Sequence, residues 1–221
     1  PTFISRKDSV GIANGLAWTS VGGEMLPIEV AVIPGGTGKI EVTGSLGDVM
    51  KESAKLAISY ARVHAEEYGI SLDNLKNIDI HIHAPEGAVP KDGPSAGVTL
   101  TTALISALSG IPVRHDLAMT GEITLHGNVL AIGGLKEKSM AAFREGISTV
   151  LIPKDNESDL YEVDAEVKQK IHFIPVDHLS QVLKNALLLP GHSSARGAHG
   201  VPQATSLIAN DKPAKEPATV M

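Results

Sequence analysis

The sequence contains no cysteine among its 221 residues, which excludes disulfides, a cysteine nucleophile and thiolate metal sites. Aromatic residues make up only 3%, so the core must be built from Ala, Val, Ile and Leu. There is no basic run, and 19 basic against 25 acidic residues give a net charge of −6. That balance argues against nucleic acid and anionic membranes as partners.

No apolar run reaches the roughly 18 residues of a membrane span. We expect a cytoplasmic protein, since a reducing compartment fits the lack of cysteine.

What is present is one globular domain between two segments of different character. Hydrophobic residues make up 43% of the chain, and its length suffices for one substantial core. We interpret residues 1–7 as the remnant of a linker, and the opening on Pro1 without methionine suggests a processed chain or a fragment of a longer one. Residues 8–189 form the expected domain. In residues 190–221, Gly, Ser, Ala, Pro and Lys dominate without periodicity, which predicts a tail without fixed structure.

The hydrophobic periodicity predicts a mixed α/β fold, with N-terminal hairpins followed by β-α units that pack helices on a mixed sheet. Strands are predicted over residues 10–20, 25–33, 39–44, 77–83, 149–152 and 171–176, with short strands within 117–132. Helices are predicted over residues 47–68, 94–109, 135–145 and 177–189, with a weak helical pattern over 156–170.

Two stretches imitate binding motifs. Residues 34–39 read Pro-Gly-Gly-Thr-Gly-Lys, but the glycine spacing of a phosphate loop fails, and Ile40 stands where Ser or Thr should hold magnesium. We predict a tight turn between strands there. One face of a predicted strand carries Asp79, His81 and His83. This row allows three interpretations, namely a metal site, a polar strand face or the wall of a catalytic cleft. No obvious fourth ligand accompanies them, so no metal is expected.

The stretch that points to chemistry is Pro-Lys-Asp-Gly-Pro-Ser-Ala-Gly, residues 90–97, which leads into an apolar run. Pro94 is expected to start a helix and to place Ser95 in its first turn. The free N–H groups of that turn would then stabilise an oxyanion forming beside Ser95. A helix-capping serine would look the same in sequence.

A serine nucleophile needs a base, and the sequence offers two arrangements. Residues 93–97 satisfy the G-x-S-x-G elbow of α/β-hydrolases, with a downstream histidine as base: His115, His126, His172 or His178. Two prolines fit such an elbow poorly. The other arrangement is a serine–lysine dyad with Lys136 or Lys138, near the positive end of a predicted helix. Periodicity does not choose between the two lysines.

Three stretches in order resemble the Lon protease family. They are HAPEGAVPKDGPSAG at residues 83–97, MTGEITL at 119–125 and IGGLKEK at 132–138, and the resemblance covers residues 8–188. It implies a Lon-type proteolytic domain, a serine endopeptidase that hydrolyses unfolded or damaged proteins. By block position, Ser95 corresponds to the nucleophile and Lys138 to the base. Thr120 corresponds to a residue that hydrogen-bonds the lysine, and Asp92 and Gly93 would shape the oxyanion region.

The resemblance also implies partners that the sequence itself does not contain. Family members form hexameric rings and carry an ATPase module, which uses ATP and magnesium. No Walker motif occurs here, so we expect no cofactor in this chain. The alternatives to the protease are an esterase of the G-x-S-x-G type and a catalytically silent assembly module.

Overall fold

Nine strands and five α-helices make up the described part of the chain. The structure is a computed structural model that describes residue 4, residues 6–85 and residues 93–190. The strands are β1 (Ile12–Thr19), β2 (Gly22–Pro34), β3 (Ile40–Thr43), β4 (Ile78–His83), β5 (Leu117–Met119), β6 (Glu122–Ile123), β7 (Val129–Leu130), β8 (Thr149–Pro153) and β9 (His172–Val176). The helices are α1 (Asp48–Val63), α2 (Gly97–Ser109), α3 (Leu135–Arg144), α4 (Ala165–Lys170) and α5 (Leu179–Ala186). Short 3₁₀ helices cover Ala65–Tyr68, Asn74–Asn77 and Lys154–Glu162.

Seven of the strands form one mixed sheet in the order β3-β4-β2-β1-β5-β8-β9, and β6 pairs with β7 beside it. β2 runs antiparallel to both of its neighbours, β1 and β4. The remaining pairs in the large sheet are parallel. The mixed α/β fold predicted from the sequence is therefore confirmed, including the hairpin of β1 and β2. The division of the chain at residues 7 and 189 stays a prediction, and residues 191–221 lie outside the described residues.

The turn at residues 34–39 does not join neighbouring strands, because β4 lies between β2 and β3. The backbone N–H groups of Gly36 and Gly38 donate to the carbonyls of Asn77 and Ile78, so the turn crosses the start of β4. β3 then pairs in parallel with β4, with Ile40 opposite Ile80. No local pattern announces this pairing, since it joins residues about 40 positions apart.

The sheet carries apolar clusters on both faces. The larger cluster lies under α1, α2 and α5, and the smaller one lies under α3 and α4. In β1, Ala13 faces the larger cluster and Leu16 faces the smaller, as the alternation of a strand requires. Of the helices in the described part of the chain, none combines the length and the apolar character needed to cross a bilayer.

The connections around β5 decide where a site can form. α2 precedes β5 on one face of the sheet, and α3 follows it on the other face. Where successive helices lie on opposite faces, the carboxyl ends of the strands border a crevice that commonly binds ligands. Thr120 and Gly121 leave β5 at that end.

Candidate active site

Ser95 lies just before α2 and not in its first turn. The helix begins at Gly97, with Ala96 as its N-cap at φ −87° and ψ 0°. The carbonyl of Pro94 accepts a hydrogen bond of 3.3 Å from the Gly97 N–H, so residues 94–97 form a tight turn. The prediction that Pro94 starts the helix is therefore wrong, because this turn keeps Ala96 out of the helical conformation. Ser95 is half-buried at the turn.

The turn is fixed to the carboxyl end of β5 by backbone hydrogen bonds. The Gly121 N–H donates to the Ser95 carbonyl at 2.8 Å, and the Val98 N–H donates to the Gly121 carbonyl at 3.2 Å. A Cβ atom on Gly121 would lie 2.8 Å from Val129 Cγ1 and 2.9 Å from Val98 Cγ1. Only glycine therefore permits this approach without displacing its neighbours.

The donors available to an oxyanion also differ from the expectation. The first helical N–H groups, those of Gly97 and Val98, already bind the Pro94 and Gly121 carbonyls. Within the described residues, the backbone N–H groups of Ser95 and Ala96 have no recorded partner. These two groups are the candidate donors, because they lie in the turn itself.

Gly93 precedes this turn with φ +117°. L-residues rarely adopt that conformation, so the position requires glycine although a Cβ there would meet no other atom. Asp92, the other residue expected to shape the oxyanion region, lies outside the described residues.

Lys138 approaches the same end of β5 from the opposite face. Its side chain is only 2% exposed, and Nζ donates a hydrogen bond of 3.1 Å to Thr120 Oγ1. Burial lowers the pKa of Lys138 from 10.5 to about 8. Lys136, in the same turn of α3, is exposed. The structure thus separates two lysines that the sequence pattern left equivalent.

The Thr120–Gly121 pair brings the serine and the lysine together. Thr120 accepts from the Lys138 ammonium, and the next residue, Gly121, donates to the Ser95 carbonyl. Among the described residues, no hydrogen bond joins Ser95 Oγ to Lys138 Nζ or to a histidine. In structures without substrate, catalytic hydrogen bonds are often long and tighten only when substrate binds. A serine hydroxyl, a desolvated lysine amine and backbone N–H donors therefore lie at one end of one strand.

Gly23 is a site residue that the sequence did not reveal. A Cβ atom there would lie 1.9 Å from the Glu137 carbonyl oxygen and 2.9 Å from the Lys138 nitrogen. The first turn of α3 therefore packs directly on the β2 backbone. The guanidinium of Arg144 donates to the Gly23 carbonyl at 2.9 Å and secures the other end of α3. In sequence, Gly22-Gly23 signals only a turn.

Trp18 covers the start of α3. A Cβ on Gly134 would lie 2.5 Å from the indole, and Gly134 has φ +73°. Trp18 is 59% exposed and therefore lies outside the core. The indole packs on the backbone of Gly133 and Gly134, where no glycine side chain separates the two.

Of the four histidines of the alternative triad, two have side-chain partners elsewhere, and His126 and His172 are exposed. His115 Nδ1 lies 2.6 Å from an Asp8 oxygen. His178 caps α5 by accepting from the Ser180 N–H, and its Nε2 donates to the His126 carbonyl. His172 is exposed on β9. β4 ends at His83, and the two described residues directly before Ser95, Gly93 and Pro94, do not belong to a strand that could lead into a nucleophile elbow.

The row of Asp79, His81 and His83 has structural contacts of its own. One Asp79 oxygen accepts from the N–H groups of Thr37 and Lys39. These hydrogen bonds lower the pKa of the Asp79 carboxyl. Thr43 Oγ1 lies 2.9 Å from His81 Nε2 and 2.7 Å from His83 Nδ1. In the part of the chain that is described, no group of three or more His, Cys, Asp or Glu residues is arranged to hold a metal ion.

Comparisons with known proteins show which family the chain resembles. Residues 2–189 match the family model of the Lon protease (S16) C-terminal proteolytic domain. The chain is 55% identical over 185 residues to "Lon protease" of Clostridium acetobutylicum, which covers 84% of this chain and 24% of that protein. It is 57% identical over 188 residues to "Lon protease" of Heliobacterium modesticaldum, covering 85% of this chain and 23% of that protein.

The chain spans about a quarter of the length of these curated relatives. The family model, by contrast, covers nearly all of the described residues and includes Ser95, Thr120 and Lys138. On these matches, the chain belongs to the Lon protease (S16) C-terminal proteolytic domain family.

Proposed function

We propose that this chain is a serine endopeptidase domain in which Ser95 is the nucleophile and Lys138 the general base. The observation that carries the proposal is a lysine that is 2% exposed and bonded to Thr120, next to the glycine that holds the Ser95 turn. Burial without a carboxylate partner favours the neutral amine. With a pKa of about 8, roughly a tenth of the lysines are neutral at pH 7, against fewer than about one in a thousand at the ordinary value.

The first half of the reaction forms an acyl-enzyme. A neutral amine keeps one N–H for Thr120 Oγ1 while its lone pair accepts the Ser95 Oγ proton. Ser95 Oγ attacks the peptide carbonyl, and the N–H groups of Ser95 and Ala96 would stabilise the oxyanion. Lys138 then returns the proton to the leaving amine as the peptide C–N bond breaks.

The second half regenerates the enzyme. Water attacks the ester carbonyl and gives a proton to Lys138, and the same proton restores the Ser95 hydroxyl as the ester bond breaks. These reaction steps need no metal ion, because Lys138 accepts and returns each proton that is transferred.

Membership in the Lon protease family supports a proposal for the biological setting. We propose unfolded or damaged polypeptides as substrates, a homo-hexameric ring as the assembly and the cytoplasm as the location. ATP and magnesium would act in an ATPase module of the full-length protein. For this chain alone, the proposal predicts cleavage of short or unfolded peptides without any effect of ATP.

The test is hydrolysis of an unstructured fluorogenic peptide by the chain and by Ser95→Ala. We expect Ser95→Ala to lose turnover and labelling by a fluorophosphonate or a peptide boronate, with an unchanged melting temperature. Ser109→Ala, at the far end of α2, is the matched control and should retain both. Retained turnover in Ser95→Ala would exclude the serine mechanism. A wild-type chain that is neither labelled nor active would indicate a silent assembly module, and cleavage of esters alone would indicate an esterase.

A further inference from the structure

The edge of the sheet formed by β3 is open. β3 is the terminal strand in the sheet order, with β4 as its single neighbour among the described strands. The Ile80 N–H donates to the Lys39 carbonyl, and the Ala84 N–H donates to the Thr43 carbonyl. In a parallel ladder, this pattern assigns residues 39, 41 and 43 to the bonds with β4. The N–H and C=O groups of Ile40 and Val42 therefore point away from β4, toward the open edge.

A groove runs along this edge between β3 and α1. Its cavity measures about 370 Å³. The floor is apolar, formed by Ile40, Val42 and Ala54. Ile40 is 42% exposed, although it lies opposite the buried Ile80. An aliphatic side chain beside β3 would cover this surface.

The rim of the groove is basic. Lys39, Lys51 and Lys55 line it, with Glu41 as the single acidic lining residue. Lys51 and Lys55 are one helical turn apart on α1, so both ammonium groups reach the same stretch of the edge. None of the ion pairs recorded among the described residues involves Lys51 or Lys55. Three lysines against one glutamate make this groove positively charged in a chain of net charge −6.

We propose that the β3 edge and this groove dock an extended polypeptide segment with an aliphatic side chain flanked by carboxylates. The segment adds as a strand and hydrogen-bonds to the outward N–H and C=O groups of Ile40 and Val42. Alternate side chains of the segment face the groove. The aliphatic one covers Ile40 and Val42, and its acidic neighbours pair with Lys51 and Lys55.

The identification of this segment as part of a substrate rests on the proposed function. The docking itself does not, because the groove is separate from Ser95 and Lys138. Binding is therefore measured with the full chain carrying Ser95→Ala, which cannot cleave the peptide if the proposed function holds. Failure of binding and failure of catalysis are then distinguishable.

The probe is a dye-labelled peptide with the core Glu-Thr-Val-Thr-Glu, which directs Glu, Val and Glu to one face. Fluorescence anisotropy should show saturable binding that weakens with added salt. The same peptide with Lys in place of Glu should bind at least about tenfold more weakly. A peptide N-methylated at alternate positions, which removes the donors that face β3, should lose binding.

The protein variants separate charge from strand pairing. Lys51→Glu with Lys55→Glu should weaken binding about tenfold or more. The matched control, Lys154→Glu with Lys168→Glu, makes the same charge change at exposed positions near the opposite edge of the sheet and should leave binding unchanged. Val42→Pro removes one outward N–H without breaking a bond to β4, whereas Val42→Ala keeps it. The proline variant should therefore bind more weakly than the alanine variant.

Three results would overturn the proposal. One is equal affinity for the Glu and Lys peptides, and another is undiminished binding of the N-methylated peptide, which does not depend on any variant folding. The third is competition by single-stranded DNA that binds more tightly than the peptide and loses affinity in the Lys51→Glu, Lys55→Glu variant. That result would assign the groove to nucleic acid.

Discussion

Lys138 Nζ donates to Thr120 Oγ1 at 3.1 Å from a position that is 2% exposed, and no carboxylate neutralises its charge. This relationship has consequences for activity, stability and pH dependence, because the same burial that favours the neutral amine also makes its charged form costly.

Activity should rise with pH through an apparent pKa of about 8, because only the neutral Lys138 accepts the Ser95 proton. The rate constant kcat/KM for an uncharged peptide, measured at pH values on both sides of 8, gives the pKa of the free enzyme. Lys138→Arg should lose about 10³-fold or more, since guanidinium stays charged. Lys136→Arg is the exposed control and should change activity little. A profile that stays flat through pH 8 would contradict the assignment.

Stability should rise with pH between about 8 and 10.5. In that range the folded chain has released the Lys138 proton while the unfolded chain still holds it. Below pH 8 the charged amine is buried at full cost, about 3 kcal/mol from the size of the pKa shift. Lys138→Met should therefore raise the melting temperature at pH 7, flatten this pH dependence and abolish hydrolysis. A lower melting temperature for Lys138→Met would show that the ammonium is well stabilised.

Thr120→Val should reduce kcat about ten- to a hundredfold while the fold persists, because valine fills the same space without the hydroxyl. Without that acceptor the ammonium loses its partner, so the apparent pKa in the pH profile should move below 8. Thr120→Ser keeps the hydroxyl and should retain both the rate and the pKa. A rate loss in Thr120→Val with an unmoved pKa would indicate a packing defect and not a role in positioning Lys138.

Gly23→Ala should lower both stability and activity. The added methyl group would meet the Glu137 carbonyl, so α3 must move away from β2 and carry Lys138 with it. Overpacking of this kind costs about 1–3 kcal/mol. Val21→Ala is the matched control in the same hairpin, because Val21 is 86% exposed. Full activity of Gly23→Ala across the pH range would show that Lys138 does not depend on this contact.

His178→Ala should destabilise the fold by about 1 kcal/mol without abolishing hydrolysis, because His178 is the N-cap of α5. His178→Asn supplies another capping acceptor and should recover the melting temperature. Hydrolysis by both variants should stay within about tenfold of the wild type. A loss as severe as that of Ser95→Ala would instead support the histidine triad.

The sequence predicted local elements well and distant pairings poorly. The alternation in β1 and β2, with the turn signal Gly22-Gly23 at the start of β2, was enough to predict their hairpin. The parallel pairing of β3 with β4 was not predictable, because it depends on a turn whose N–H groups bind the carboxylate of Asp79, about 40 residues away.

The residues of the candidate site could be predicted by type, but the way α2 and α3 position them could not. Lys136 and Lys138 lie on opposite flanks of one helical pattern, and the packing of α3 buries Lys138 while Lys136 stays exposed. The start of α2 was misplaced because Pro94, a good first helical residue, here accepts the hydrogen bond that closes a tight turn.

Because Ser95 and Lys138 belong to elements on opposite faces of the sheet, only the folded chain holds them near each other. Ser95 is positioned by the turn before α2, and Lys138 is positioned by α3 on the other face of the sheet. Both contact the chain directly after β5, at Gly121 and Thr120. In an unfolded or half-made chain, the lysine is hydrated, keeps its proton and cannot activate the serine. In the proposed mechanism, activity therefore depends on completed tertiary packing, and an incompletely folded copy is expected to cleave no peptide.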